Sequence, residues 1–334
     1  MTEYRSARLS NLAKSGFHST RNKRLNNKSE NKSNSVNYVA RTNIAIDYIV
    51  NNLSSDLRLE DIAQVAMFSP FHFHRVFRSL IGETLNQFVK RLRLERALYL
   101  MSHSPKLTLT EIALDCGFSS SSDFSRSFRN RFGKPPSAIN IQELRSSNRE
   151  EFTSSLAALG NKHNLERLPA NENPDQFSVT LRNLPARRVA YIRVLDPYQP
   201  AAVPNASKRL VSWAEQKGLA GGDWLGYMWE DPEITATKDC RYDVAVVIDK
   251  KESQALPDGE VSWHQFPAMQ VAELNIKGDI ELEMRAIDWL FRTWLPRSGF
   301  VPDEQPAFEA WHGKPFEQGL EYFELSCQLP VKTS

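Results

Sequence analysis

The sequence predicts two folded domains of different class, an all-α domain over residues 38–145 and an α+β domain over residues 176–334. Three observations support this division. Apolar residues recur at helical spacing in the front part, they alternate as in strands in the back part, and each part contains its own internal repeat. The length of 334 residues also exceeds what one typical domain needs.

Residues 1–37 are predicted to be a disordered basic tail. They contain eight Lys or Arg residues and two acids, and they are rich in Ser and Asn without a sustained apolar pattern. Such a segment cannot bury enough apolar surface to offset the entropy of ordering. Two roles remain open for it: a solvated extension, and an arm that adds non-specific contacts to a polyanion.

The all-α domain contains the same motif twice. Residues 57–69 match residues 107–119 at an offset of 50, and residues 73–78 match residues 124–129 at an offset of 51. Each copy is predicted to form a short helix, a tight turn and a second helix. Phe73 and Phe77 lie four residues apart, so they share the inward face of that second helix.

The turn and the connection between the copies also carry signals. Gly117 suits a turn with positive φ, whereas the first copy has Met67 at that position. Thr84 is a candidate N-cap for a long helix that joins the copies. The basic residues of that helix are expected mostly on its solvent side: Lys90, Arg91, Arg93 and Arg96.

Residues 146–175 are predicted to be a linker with a short helix around Phe152 to Leu159. After it, alternating apolar residues predict two strands, around 177–181 and 189–194, joined in a hairpin at residues 183–185. A helix around 207–216 and strands around 224–229 and 242–248 follow. Residues 185–190 and 226–229 recur at an offset of 82, which predicts a duplicated β-α-β-β unit with a groove between its halves.

Charge divides the chain in the same way. Residues 38–145 hold fourteen basic and ten acidic residues, whereas residues 146–334 hold twenty and twenty-eight. A basic front part fits a polyanionic partner and the acidic back part does not, so the two parts are expected to do different jobs. All seven tryptophans, from Trp213 to Trp311, lie in the acidic part.

Several classes of protein are disfavoured. The chain has no apolar stretch of membrane-spanning length and no signal-peptide pattern near Met1, which predicts a cytoplasmic protein. Three widely spaced cysteines argue against a disulfide framework. His72 and His74 are two residues apart on a predicted helix and cannot chelate one ion together. We therefore expect no metal, no cofactor and no enzymatic activity.

Paired helix-turn-helix units joined by a long helix resemble the DNA-binding domain of the AraC/XylS regulators. Three segments carry the resemblance, Arg91 to Ala97, Cys116-Gly117-Phe118 and Phe132 to Pro136. The resemblance implies a transcriptional regulator that binds double-stranded DNA, with RNA polymerase as a further partner. It also implies that the second helix of each unit enters the major groove.

Mapped onto this sequence, the base-facing positions are Phe71, His74 and Arg75 in the first unit and Ser121, Ser122, Asp123, Ser125 and Arg126 in the second. Arginine can form a bidentate contact with the guanine edge, and an aromatic edge can pack on a thymine methyl group. Arg78 and Arg129, one turn farther along, suit phosphates, which orient the protein without specifying sequence. The serines predict looser reading by the second unit.

The back part resembles the GyrI-like effector-binding domains, through Leu184-Pro185-Ala186, residues 294–300 and residues 306–311. The resemblance implies a small-molecule effector, in several members an amphipathic or aromatic cation, held in the groove between the halves. Glu309 matches the family's acidic position, and the candidate walls are Trp311, Tyr227 and Trp229.

Two alternatives stay open for this domain. It could be a structural or partner-binding module without a small ligand, in which case Glu309 is a solvated strand residue and the aromatics are core. It could also be a hydrolase, since some isolated GyrI-like proteins are linked to hydrolysis of reactive electrophiles and a glutamate can act as a general base.

Overall fold

A computed structural model describes residues 38–104, 106–158, 172–248, 259–319 and 321–333. The predicted basic tail, residues 1–37, lies outside these ranges, as do residues 159–171 of the predicted linker. The front part is helical and the back part contains a large antiparallel sheet, so the predicted combination of an all-α and an α+β domain is confirmed.

Helices form the front part. Their bounds are α1 over 38–51, α2 Leu59–Val65, α3 Pro70–Ile81, α4 Leu85–His103, α5 Leu109–Asp115, α6 Ser121–Phe132 and α7 Ile141–Ala158, with a 3₁₀ turn at Pro136–Ala138. Two apolar clusters hold them together, one around Phe73, Phe77 and Phe88 and one around Phe124 and Phe128. Helix α4 contributes to both clusters and thereby joins the two helix-turn-helix units.

The two turns show the predicted backbone. Gly117 has φ +80° and Met67 has φ +58°, so both copies use the left-handed conformation although only one has glycine. A Cβ at Gly117 would collide with the Leu53 carbonyl and the Arg93 guanidinium, whereas Met67 is half exposed. Thr84 caps α4 in a capping box with Gln87, as expected.

The basic residues of α4 depart from the prediction. Arg91 is buried and binds Glu83 at 2.7 Å, Arg93 donates to the carbonyl of Leu53 at 2.9 Å, and Arg96 binds Glu304 of the back part at 2.7 Å. The solvent-side prediction was wrong for these three arginines. Long arginine side chains reach acids and carbonyls on neighbouring segments, which a helical-wheel argument does not include.

The back part contains strands and helices in two similar halves. Their bounds are β1 Thr180–Leu184, β2 Arg187–Leu195, α8 Ala202–Lys217, β3 Trp224–Met228, β4 Arg241–Ile248, β5 Ser262–Phe266, β6 Met269–Gly278, α9 Ile280–Trp289, α10 Leu295–Ser298, β7 Phe300–Pro302, β8 Ala307–Trp311 and β9 Phe323–Thr333. The sheet order is β1-β6-β9-β8-β3-β4-β2-β5, with β7 paired to β9. Strands β3 and β8 meet where the halves join.

The predicted hairpin is wrong. Strand β1 pairs with β6 of the second half, Leu184 opposite Met269, and β2 pairs with β4 and β5 instead. The equivalent strand of the second half, β5, likewise pairs with β2 of the first half. The first strand of each half therefore pairs with a strand of the other half. The segment at Pro185-Ala186 is a crossover between these positions and not a tight turn.

Helix α7 replaces the first part of the predicted linker. It runs for 18 residues from Ile141 to Ala158. Phe152 and Leu156 are buried, and Asn148 donates to the carbonyl oxygen of Glu233 at 3.0 Å. Arg149 binds the Glu233 carboxylate at 2.6 Å. Contacts with the back part therefore stabilise a helix whose local Ser-Ser-Asn composition resembles a linker.

A buried ionic cluster joins α1 to the sheet. Asp47 accepts hydrogen bonds from Tyr191 at 2.7 Å and from Arg193 at 2.9 Å, and Arg193 also binds Asp243 at 2.6 Å. Burial by itself would raise the pKa of Asp47, but the charge of Arg193 and the bonds from His264 and Tyr191 lower it to about 2. The two domains are thus joined by a buried contact in which Arg193 pairs with one acid of each domain.

Candidate DNA interface and ligand sites

The second helix of each helix-turn-helix unit begins at a serine cap. Ser69 accepts a hydrogen bond from the backbone of His72, and Ser120 accepts one from the backbone of Asp123. Both helices end at a glycine in the left-handed conformation, Gly82 and Gly133. Because phenylalanines occupy the inward face, the predicted base-facing positions lie on the other face.

On α3 the predicted positions are exposed. Phe71 has 75% of its surface accessible, and the guanidinium of Arg75 lies 5.9 Å from the centre of its ring. His74 and Arg78 are exposed as well. An exposed aromatic ring beside an arginine provides an apolar edge and a forked donor on one surface, which is the chemistry that base edges require.

On α6 the predicted positions are exposed except Asp123, which is partly buried; the exposed ones are Ser121, Ser122, Ser125, Arg126 and Arg129. The Ser121 hydroxyl donates to the hydroxyl of Thr110 on α5 at 3.2 Å. One serine is therefore already engaged with its own domain. The remaining polar groups are short, apart from the two arginines.

Glu309 lies in the middle of the sheet with 6% of its surface exposed. Its carboxylate accepts hydrogen bonds from the Tyr242 hydroxyl at 2.6 Å and from the Trp311 ring N–H at 2.9 Å. On β3, Gly226 stands opposite it, and a Cβ there would collide with the Tyr242 hydroxyl. The absence of a side chain at Gly226 thus provides the space in which this carboxylate is held.

A second buried acid, Glu283 of α9, faces Glu309. Burial raises the pKa of both carboxyls, and each is hydrogen-bonded to the other. Neither makes an ion pair with a described residue, and one oxygen of Glu283 has no described hydrogen-bond partner. Tyr242 and Trp311 donate hydrogen bonds to Glu309, which stabilises its ionised form. In this pair of acids Glu309 is therefore the carboxylate and Glu283 carries the proton.

Sequence reasoning missed Tyr242 and Glu283. A signal for Glu283 was present, since it occupies the same helical face as the buried residues Ala286 and Leu290, three and seven positions along. A charged residue at an apolar position of an amphipathic helix indicates a specific partner or a site. Tyr242 offered a weaker signal, because an aromatic residue on a strand usually belongs to the core.

The four predicted ligand-site residues do not come together. Glu309 and Trp311 are two residues apart on β8, so both side chains lie on the face of the sheet that the helices cover. Tyr227 and Trp229 point to the opposite face, where the Tyr227 ring stacks on Phe266 at 4.2 Å and the Trp229 ring N–H donates to Asp243 at 2.7 Å. Strand alternation separates the two pairs, because Tyr227 stands opposite Phe308 and not Glu309.

A cavity of about 530 Å³ lies between the two domains. One wall comes from α4 and α7, and the other from α9 and from the segments that precede β4 and β8. Aromatic rings from both domains line it: Tyr99, Phe152, Tyr198, Trp229 and Phe291. Sequence analysis had no means to find it, since its walls come from segments that are far apart along the chain, such as those of Tyr99 and Phe291.

Two further features concern the described residues alone. Within those ranges, His, Cys, Asp and Glu form no group of three or more that could hold a metal ion. None of the described helices combines the length and the apolar character needed to cross a membrane.

Two family models match the chain. A helix-turn-helix domain matches residues 62–140, and a GyrI-like small molecule binding domain matches residues 177–332. A DNA gyrase inhibitor from Serratia proteamaculans is 30% identical over 162 residues, which are 47% of this chain and 99% of that protein. The regulatory protein PocR from Salmonella typhimurium is 38% identical over 98 residues, which are 29% of this chain and 32% of that protein.

Among solved structures, a transcriptional regulator with an AraC-type DNA-binding domain from Chromobacterium violaceum is 30% identical, with a TM-score of 0.28 over 29% of this chain and 86% of that chain. The curated regulators are matched over about a third of their length, as PocR is at 32%. Both resemblances drawn from the sequence are confirmed by the two family models. The chain belongs to the AraC-type DNA-binding transcriptional regulators and carries a GyrI-like small-molecule-binding domain.

Proposed function

We propose that this regulator is controlled by an organic cation that the back domain binds at Glu309. The supporting observation is the burial of that carboxylate without a positive charge beside it. It is buried, it accepts hydrogen bonds from the neutral groups of Tyr242, Trp311 and Glu283, and it has no cationic partner among the described residues. A buried charge of this kind is costly, and a cationic ligand would relieve the cost.

The aromatic surroundings support the same class of ligand. The Trp311 ring packs 4.7 Å from Phe316 and 5.5 Å from Phe323, measured between centroids. Together with Tyr242 they form an aromatic surface around the acid, which suits a cation with apolar substituents. Because Glu309 is buried beneath α9, entry of a ligand requires a shift of that helix.

For the front domain we propose that Phe71, His74 and Arg75 of α3 read base edges, together with Ser121, Ser122, Asp123, Ser125 and Arg126 of α6. Arg78 and Arg129 would contact phosphates. Binding would take place on chromosomal DNA in the cytoplasm, with RNA polymerase as the partner that the regulator assists or blocks. In this proposal the chain has no enzymatic activity.

The test of the effector site compares two ligands of similar shape on the full chain, tetraphenylphosphonium and the uncharged triphenylphosphine oxide. Glu309→Gln keeps the size of the side chain and removes its charge, so we expect it to weaken binding of the cation at this site by tenfold or more and to leave binding of the oxide unchanged. Titration calorimetry measures both.

The matched control is Glu273→Gln. Glu273 is equally buried in the same sheet, but its charge is balanced by Arg182 at 2.8 Å. This variant should bind the cation as the wild type does. Equal weakening of both ligands by Glu309→Gln would remove Glu309 from this role, and absence of binding by the wild type would favour a structural module.

A further inference from the structure

We propose that the cavity between the domains is a second binding site for an aromatic monocation, in which Glu95 of the connecting helix α4 supplies the negative charge. The site is separate from Glu309, which does not line this cavity. A ligand held here would contact both domains at once.

The size and the lining of the cavity fit a small organic molecule. Its volume of about 530 Å³ falls within the range of known ligand pockets, roughly 300 to 1,000 Å³. The rings of Phe152 and Tyr198, one from each domain, meet edge to face with centroids 5.5 Å apart. Tyr99 of α4 and Phe291, in the helical segment that follows α9, present further aromatic surface.

The charges on the walls leave one acid poorly balanced. Each arginine that lines the cavity has its own acidic partner within 3.6 Å: Arg96 with Glu304, Arg145 with Asp231, Arg149 with Glu233, Arg241 with Glu230, Arg285 with Asp175 and Arg292 with Asp288. Glu95 is bound less closely than most of these acids, although Arg91 donates to both of its oxygens. Its cationic neighbours Arg91 and Arg131 lie at 3.4 and 4.0 Å, and Arg91 is bound more closely by Glu83, at 2.7 Å.

An incompletely balanced carboxylate among aromatic rings selects a cation, since the acid attracts the charge and the ring faces add to that attraction. Glu230 stands close enough to Glu95 to disfavour its ionisation further. A monocation would relieve this repulsion. A neutral molecule of the same shape would fill the cavity without relieving it.

The position of Glu95 gives the site a functional meaning. Helix α4 joins the two helix-turn-helix units and packs in both of their cores. It also holds the back domain through Arg96 and through the Tyr99 hydroxyl, which donates to the carbonyl oxygen of Asp303 at 3.1 Å. A ligand between these surfaces stabilises the docked arrangement of the domains by its binding free energy.

The experiment counts cation sites on the full chain by calorimetry, with tetraphenylphosphonium as the probe and triphenylphosphine oxide as the uncharged control. We expect the wild type to bind two cations. Glu95→Gln should weaken one of the two sites at least tenfold, Glu309→Gln should weaken the other, and Glu143→Gln should retain both. Glu143 is an exposed acid of α7 that binds Lys134 and does not line the cavity.

A photoreactive aryl phosphonium locates the site directly. Labelling of peptides from α4 in the wild type and in Glu309→Gln, but not in Glu95→Gln, supports the proposal. If Glu95→Gln binds and labels as the wild type does, or if the oxide competes as well as the cation, the proposal is wrong. If Glu309→Gln abolishes all binding, the cavity proposal fails and the proposal for Glu309 stands; if Glu95→Gln abolishes all binding, the reverse holds.

Discussion

At the scale of single residues, burial alone does not decide the charge of an acid in this protein. Asp47 and Glu309 are both buried, but Arg193 lies beside Asp47 and lowers its pKa to about 2, whereas burial raises the pKa of Glu309. The first acid completes a structural contact between the domains. The second retains an unsatisfied charge, which is the property that a ligand can use.

Arg75→Ala should weaken binding to the cognate DNA site by about 1 to 3 kcal/mol and relax preference at one or two base pairs, because a bidentate base contact is lost. Arg129→Ala should weaken all sequences nearly equally and reduce the steepness of the salt dependence, because a phosphate contact is lost. Titration of cognate and random duplexes at several salt concentrations measures both effects. Equal losses on both duplexes for Arg75→Ala would contradict its role in reading bases.

Glu95 makes stability depend on pH. Burial raises its pKa from 4.5 to about 7, so the folded state binds the proton more tightly than the unfolded state does. Its contribution is fully present below pH 4.5 and is lost as the pH rises to about 7. The loss amounts to up to about 3 kcal/mol, at roughly 1.4 kcal/mol per unit of pKa shift.

Glu95→Gln carries no such charge, so the variant should gain stability relative to the wild type as the pH rises from 4.5 to 7.5. Denaturant unfolding at both pH values measures the difference. A constant difference across this range would contradict the burial of an ionisable carboxyl at this position. The same measurement at pH 7.5 shows whether the variant is folded, so loss of ligand binding can be distinguished from unfolding.

At the scale of elements, helices defined by local signals could be predicted from the sequence. Thr84 and Gln87 form the capping box that begins α4, and paired phenylalanines define the inward faces of α3 and α6. These signals lie within a few residues of one another. Because the helix-turn-helix motif is duplicated, the pattern of paired phenylalanines appears twice, once on α3 and once on α6.

Elements that depend on distant partners were predicted less well. The order of the strands was not available from alternation, because Leu184 pairs with Met269 across 85 residues and not with its neighbour in sequence. Alternation along one strand did specify which of its residues share a face. Whether Tyr227 and Trp229 of β3 lie on the same face as Glu309 of β8 depends on the register between the two strands, which alternation does not give. That register sets Tyr227 opposite Phe308 and Gly226 opposite Glu309.

The extent of α7 shows the same limit. Its middle segment, Ser146-Ser147-Asn148, has the composition of a linker, and its partners Asp231 and Glu233 come from the other domain. Arg145 binds Asp231 at 2.8 Å and Arg149 binds Glu233 at 2.6 Å. A helix that is stabilised by the surface it contacts cannot be recognised from its own residues alone.

At the scale of the whole molecule, the domains share an extensive charged interface in addition to a covalent connection. Asp47 joins α1 to the sheet, and Arg96 and Arg149 join α4 and α7 to segments beside the cavity. Ligand binding at either proposed site would therefore alter how the DNA-binding helices are held. Coupling of this kind requires that the effector and the DNA each bind one arrangement of the domains more tightly than another.

The most direct test measures the affinity of the full chain for a DNA duplex selected from random sequences, with and without saturating tetraphenylphosphonium. We predict that the cation changes the affinity of the wild type for this duplex, by about 5-fold to 150-fold as is typical of coupled sites. With Glu309→Gln, which cannot supply the compensating charge at that site, the response should fall to the part that the cavity site at Glu95 still provides. An unchanged affinity of the wild type under conditions where the cation is bound at Glu309 would contradict control of this regulator by an effector at that site.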